Sequence, residues 1–269
     1  MNSQIARYDA AAHEHYAKKF LQDGFCILKN HFSKAVLIKW NEAFAPLLKK
    51  HIESEKRMLS RGKERFYVTL PFTGEFANPA IFEDEDILAI VSHLTGEDFV
   101  MCQLATDTPL IGSEYQEIHR DTQPLFPEAG IETPPFQLAI NFPLVDVTLN
   151  NGPLEIIRGT HMISKNDGIR RLESLEAKIE PVLMTLGDVM IRDVRALHRG
   201  TPNHTDTPRP MVVIGYSRKW LNRPEVSIQI PSEIHAQLSP RARHMLRNNP
   251  VVDSANFQPP VETYEAFAY

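Results

Sequence analysis

The chain has 269 residues, 42% hydrophobic and 23% charged, an ordinary balance for a soluble globular protein with a sizeable core. A formal net charge of -5 and a pI of about 6.1 offer no basic surface for nucleic acid or an anionic membrane. The two cysteines, Cys26 and Cys102, lie inside apolar runs, which excludes a disulfide-built fold and suits reduced core thiols.

The first residues, MNSQIARYDAAAHEHYAKKF, lack the positive-then-apolar pattern of a leader. No run approaches a membrane span, and the closing EAFAY carries no lipidation signal. A cytoplasmic location is therefore expected. Helix formers fill residues 10–23 and stop at Gly24; "GFCILKNHF" then reads as a short strand. Ser33 is a candidate N-cap for a long helix to about residue 58, with Val36, Leu37, Trp40, Phe44, Leu47, Leu48 and Ile52 at helical spacing. A further helix fits Asp84 to Leu94, closed by Gly96.

From Asp98 the texture changes. "DFVMCQLATD", "PFQLAINFPLVDV", "GPLEIIRG", "IEPVLMTL", "GDVMIRD" and "RPMVVIGYSRKW" are short strand-like runs separated by Gly, Pro and Asn. Many short strands with turns between them predict a sandwich or closed barrel. A last helix is expected from about Pro231 to Arg247. The helices show no core of their own, so the expectation is one domain over 1–269. It divides into a helical part at about 10–95, a β core at about 98–222, and a C-terminal helix and tail at about 231–269.

Within that β region the tripeptide His119-Arg120-Asp121 places an imidazole and a carboxylate two residues apart. In extended backbone, side chains at i and i+2 share a face, so His119 and Asp121 converge while Arg120 turns away. Two thirds of a metal site result. His198, in "GDVMIRDVRALHRG", sits near a strand end and supplies a third ligand. Two neutral imidazoles and one carboxylate hold Fe(II) without saturating it, leaving positions for a cosubstrate and oxygen. Arg209, at the start of the next strand, offers a fork for a carboxylate. A metal with an arginine nearby suits a diacid that chelates at one end and is gripped at the other, which is 2-oxoglutarate.

Other histidines read more blandly. His13, His15, His51, His235 and His244 lie in charged helical contexts and are expected at the surface. His161 reads as a structural residue at a turn, and His204 as a solvated loop residue. Arg170 and Arg171 read as a solvated face. Arg61, Lys63 and Arg65, beside Phe66 and Tyr67, read equally as a charged loop or as one wall of a substrate pocket, for which Arg65 and Tyr67 are the candidates.

The chain resembles the phytanoyl-CoA dioxygenase family of Fe(II)/2-oxoglutarate oxygenases. The resemblance runs over roughly residues 16 to 220 and rests on "HRD" at 119–121, "NNGPLEIIRGTH" at 150–161 and "GDVMIRDVRALHRGTPNHTDTPRP" at 187–210. Arg158 and Thr160 depart from the family's proline and serine, and Gly200 stands where some members place a serine or threonine. The resemblance implies a double-stranded β-helix, a cupin-like jelly-roll. It implies that His119, Asp121 and His198 bind iron and carry catalysis, that Arg209 holds the distal carboxylate of 2-oxoglutarate, and that Asn141 sits beside the cosubstrate. It places Met101 or Gln103 in the same pocket. The presence of Asp121, where related halogenases leave room for chloride, points to hydroxylation of a small organic molecule, with succinate and CO2 released. Desaturation, epoxidation and ring formation use the same centre. A cupin-type metalloenzyme without 2-oxoglutarate would keep the ligands and have no use for Arg209; against a jelly-roll binding or regulatory protein that has lost turnover stands the intact triad, and uncoupled succinate formation separates the two. A small-molecule substrate is expected, and the C-terminal tail is a candidate for covering the site or for homodimer contacts.

Overall fold

The computed structural model describes residues 6–54, 61–221 and 228–257. Helix α1 (Ala10–Asp23) begins at Asp9, whose side chain accepts from the Ala12 N–H, and ends at Gly24 in a left-handed conformation with φ 84°. That position suits glycine because a Cβ is disfavoured there. Strand β1 (Phe25–Leu28) leads into α2 (Lys34–Glu53). Ser33 precedes this helix but makes no side-chain cap bond; the remainder of the expected stretch to residue 58 lies outside the described residues. After β2 (Arg65–Thr69) come the short α3 (Pro79–Phe82) and α4 (Glu85–Thr95). Asp84 caps α4 through the Ile87 N–H and holds His31 Nε2 at 2.9 Å.

The β region contains β3 (Phe99–Pro109), β4 (Gln137–Pro143), β5 (Leu154–Ile157), β6 (Ile179–Val182), β7 (Val189–Asp193), β8 (His198–Gly200) and β9 (Met211–Arg218). A helix, α5 (Lys165–Glu173), stands between β5 and β6. Ser164 caps it, and Arg170 and Arg171 are on its exposed side. The expected single C-terminal helix is broken into α6 (Ser232–Gln237) and α7 (Pro240–Met245). Pro240 cannot continue a helix and disfavours helical backbone before it; Ser239 instead caps α7 through the Ala242 N–H. Strands β10 (Ile230–Pro231) and β11 (Val251–Val252) form a small parallel pair flanking these helices. The tail from residue 258 onward lies outside the described residues.

Six strands form one antiparallel sheet in the order β1-β7-β4-β9-β3-β2, and β6-β5-β8 form a second. The chain is a jelly-roll with flanking helices. Strand alternation assigns the faces. Leu138, Ile140 and Phe142 of β4, with Val212, Ile214 and Tyr216 of β9, join Phe20, Trp40 and Phe44 of the helices in one hydrophobic cluster. The alternate residues Gln137, Ala139, Asn141, Met211 and Val213 line a cleft on the other face. Because both faces are covered, every residue of β4 is buried. A smaller cluster, including Phe25, Val147, Ile156, Val182 and Met190, fills the space between the two sheets.

Two expectations change here. His13 is buried, 2.8 Å from Asp86 Oδ1, not at the surface; Asp86 also accepts the backbone N–H groups of Arg7 and Tyr8 and so ties the N-terminal segment to α4. Met101 packs in the helix-side core with no exposure and does not line the cleft. The cause is a β-bulge between Met101 and Gln103: Met101 pairs with Tyr216 and Gln103 with Gly215, so Cys102 is an extra residue. The insertion reverses the alternation and sends Met101 to the opposite face from Gln103.

Candidate metal centre

His119 and His198 form a two-residue antiparallel bridge. The His119 N–H donates to the His198 carbonyl at 2.9 Å, and the His198 N–H returns to the His119 carbonyl at 3.1 Å. This pairing brings the ring centroids to 4.4 Å. The Asp121 N–H donates to the Val194 carbonyl at 2.9 Å, keeping the chain extended enough for Asp121 to share the face of His119. Arg120 points away and is buried, with Nη1 2.6 Å from Glu132 and Nη2 2.9 Å from the Thr160 carbonyl.

The two imidazoles are oriented alike. His119 Nδ1 is 2.7 Å from the Glu117 carbonyl and His198 Nδ1 is 2.8 Å from the Ala196 carbonyl. A carbonyl only accepts, so each Nδ1 carries the proton and each Nε2 keeps its lone pair. Arg192 Nη1 also lies 3.3 Å from His198 Nδ1; the shorter bond decides the tautomer. Both Nε2 atoms face Asp121 Oδ1, at 3.8 Å from His119 and 3.4 Å from His198. The three ligand atoms lie within 4.8 Å of one another, close enough to converge on one ion with small side-chain adjustments. Nitrogen donors fixed by carbonyl acceptors are the usual support of a metal-binding histidine.

Electrostatics prepare the same site. Burial, with His198 alongside, pushes the His119 imidazole down to about 4 against the opposing pull of Asp121. Burial would raise the Asp121 carboxyl, but Arg192, His198 and His119 outweigh it and hold it well below the usual carboxylate range. At neutral pH the set therefore presents a neutral His119 beside a carboxylate, which is the protonation state that a divalent cation requires.

Arg192 was not singled out from the sequence. On β7 it alternates with Val189 and Ile191, which face the helices, and so projects into the cleft. Its Nη2 lies 2.6 Å from Asp121 Oδ2. That contact occupies one carboxylate oxygen and leaves Oδ1 toward the histidines. A lone cation inside the apolar run "VMIRD" was the available signal. Gln116 is a second addition: its Oε1 accepts from the Gly200 N–H at 2.9 Å and its Nε2 donates to the Arg61 carbonyl at 3.1 Å.

The cleft encloses about 850 Å³, solvent at its mouth included. Besides the triad it is lined by Arg209, Asn141, Gln103, Arg65 and Tyr67. Arg209 is buried, donates through Nε and Nη2 to the Gly152 carbonyl at 3.0 and 2.5 Å, and has no ion-pair partner among the described residues. Asn141 Nδ2 donates to the Val212 carbonyl at 3.3 Å while its Oδ1 is buried without a partner among the described residues. Gln103 is hydrogen-bonded to the Tyr67 hydroxyl, and the Arg61 guanidinium stacks 4.1 Å above the Tyr67 ring. His161 is buried on a turn after β5, edge-on to Phe20, and is not part of the triad. His204 is exposed.

A jelly-roll whose mouth gathers two imidazoles and one carboxylate is the framework of non-haem iron oxygenases. A family profile described as Phytanoyl-CoA dioxygenase (PhyH) matches residues 20–211, and the chain belongs to that family. Among solved structures it is similar to SnoN, a non-heme alpha ketoglutarate dependent epimerase from nogalamycin biosynthesis, at a TM-score of 0.61 and 20% identity over 78% of this chain and 84% of that one. AviO1 from Streptomyces viridochromogenes Tue57 gives a TM-score of 0.61 at 19% identity, covering 81% of this chain and 99% of that one. HygX from Streptomyces hygroscopicus, solved with nickel, 2-oxoglutarate and hygromycin B, gives 0.59 at 13% identity, covering 89% and 96%. At these identities the likeness is one of fold. No helix among the described residues is long and apolar enough to cross a membrane.

Proposed function

We propose that the protein, residues 1–269 acting as one domain, is an Fe(II)- and 2-oxoglutarate-dependent dioxygenase that hydroxylates a C–H bond of a small organic molecule. The observation that carries the reading is Asp121 Oδ1 facing both Nε2 lone pairs, with Oδ2 taken by Arg192. Three protein donors on one side leave the other side of an ion for ligands, which suits an iron that must bind a cosubstrate and oxygen. The iron with 2-oxoglutarate supplies the oxidising power, and succinate and CO2 are the coproducts.

The chain's own groups do the rest. Nδ1 bonds to Glu117 and Ala196 hold both rings in place. Arg209, buried and without an ion-pair partner among the described residues, is assigned the distal carboxylate of 2-oxoglutarate, and Asn141 and Gln103 flank the cosubstrate. Tyr67 is assigned to the substrate side. Burial of His119 and His198 lowers the local dielectric and strengthens these polar contacts. The presence of Asp121 argues for hydroxylation over halogenation; desaturation, epoxidation and ring formation depend on how the substrate lies. A metalloenzyme without 2-oxoglutarate is disfavoured by Arg209, a buried cation with no other evident use.

The test is anaerobic reconstitution with Fe(II) and 2-oxoglutarate, followed by air and an assay for succinate across candidate substrates. Asp121→Ala and His198→Ala are expected to abolish succinate formation; full activity in either defeats the assignment. Arg209→Ala is expected to raise the 2-oxoglutarate requirement, and an unchanged requirement removes Arg209 from its role.

A further inference from the structure

The turn between β7 and β8 sets much of the geometry of the metal centre. Its Val194 carbonyl accepts the Asp121 N–H at 2.9 Å, and its Ala196 carbonyl lies 2.8 Å from His198 Nδ1. Asp121 and His198 therefore both take their orientation from this turn. Between the two carbonyls stands Arg195, whose side chain is wholly buried. Its Nε and Nη2 donate to Asp193 at 2.9 and 2.8 Å, and its Nη1 donates to the Thr133 carbonyl at 2.6 Å. Arg120 is its counterpart on the segment that carries His119 and Asp121. It too is buried, and it donates to the Thr160 and Ile163 carbonyls.

Glu132 joins the two arginines. Its Oε1 lies 2.6 Å from Arg120 Nη1 and its Oε2 lies 3.3 Å from Arg195 Nη1, with the side chain only 6% exposed. The chain leaves the centre at Asp121, runs through the largely exposed residues 122–131, and returns at Glu132 and Thr133 to the same turn. Within this group two arginines balance two carboxylates, Glu132 and Asp193. Asp193 already engages Arg195 with both oxygens, so Arg120 depends on Glu132. A buried cation that loses its carboxylate is costly and drives the structure to shift. Here the shift would fall on the segment between two metal ligands and on the turn that orients two of them.

We propose that Glu132 is a positioning residue for the metal centre: it clamps Arg120 to Arg195 and so holds the His119–Asp121 segment against the β7–β8 turn. This rests on the metal-binding reading above. Glu132 does not line the cleft and acts only through the two arginines.

Titration of the metal-free protein with Co(II), read by visible absorption and calorimetry, tests this without turnover. Glu132→Gln keeps the shape but offers one amide oxygen to one arginine and an NH2 group to the other. It is expected to weaken Co(II) binding roughly tenfold, the low end for groups that support metal ligands, and to alter the Co(II) spectrum. Glu132→Asp keeps the charge but is one methylene too short to bridge both arginines; it is expected to fall between. Asp86→Asn removes a buried carboxylate that holds His13 on the helix side of the molecule. It is expected to lower the melting temperature and to leave Co(II) affinity and spectrum unchanged. Wild-type affinity and spectrum in folded Glu132→Gln, or in Glu132→Asp where that variant alone folds, overturns the proposal. An equal change in Asp86→Asn also overturns it, because the effect then follows from lost stability alone. Wild-type protein that fails to bind Co(II) overturns the metal-binding reading and this inference with it.

Discussion

At the residue scale, Asp121 divides its two oxygens between partners. Oδ1 faces the histidines and Oδ2 takes a 2.6 Å charged contact from Arg192. Fixing one oxygen stops the carboxylate from swinging to chelate through both, which would occupy a position needed by other ligands. The cation also costs something, since it repels a divalent ion nearby. Orientation outweighs that repulsion where supporting partners of metal ligands have been removed, typically by about 10–100-fold in affinity. Arg192→Met is therefore expected to weaken Co(II) binding on that order and to change the Co(II) absorption spectrum. Wild-type affinity and spectrum in the variant would leave Arg192 as packing alone. The HxD spacing was legible because period-two geometry acts over three residues. The partner on Oδ2 was not, because it comes from a strand that is far away in the chain.

At the element scale, the bulge in β3 decides which residues see the site. Without it, Met101 and Gln103 would share the cleft face, as the bare alternation of "VMCQLATD" suggests. With Cys102 as the extra residue, Met101 pairs with Tyr216 and enters the core. Met101→Ala is expected to cost about 2–5 kcal/mol of stability, the range for a large-to-small core change, with 2-oxoglutarate affinity unchanged in the folded variant. Chemical denaturation and calorimetry on the same sample check both halves; a weakened 2-oxoglutarate affinity at intact stability would return Met101 to the pocket. Turn and cap chemistry explains why α1 and α4 ended near their expected boundaries: Gly24, Asp84 and Gly96 act locally. The split between α6 and α7 was also written locally, in Ser239-Pro240. Helix α5 carries no apolar periodicity that would mark it in the sequence, because its nine residues, KNDGIRRLE, have little apolar content.

At the scale of the whole molecule, the helices pack on one face of the large sheet and the small sheet closes the other, so the triad sits in a buried, low-dielectric cleft. That burial has a consequence in acid. His119 titrates near 4 in the fold and near 6.5 when unfolded, so between those values the unfolded chain binds more protons. The contribution of the His119 site to the stability of the metal-free protein is fully present above about pH 6.5 and is lost as pH drops toward 4; the depressed Asp121 extends the loss further into acid. Thermal melts of chelator-treated protein between pH 7.5 and 4.5 are expected to show this decline, and His119→Gln is expected to flatten its upper part. A melting temperature independent of pH in wild type would refute the depressed imidazole.

The sequence by itself determined what acts over short range. It carried the ligand types, the HxD pair, the helix stops, the β texture after Asp98 and the family motifs, because each depends on neighbours within a few residues. Only the tertiary structure decided that His198 bridges His119, that Arg192 reaches Asp121, that His13 is buried on Asp86, and that Glu132 joins Arg120 to Arg195. These are contacts between strands, helices and loops set by sheet order and by a one-residue bulge, and a period-two pattern contains neither.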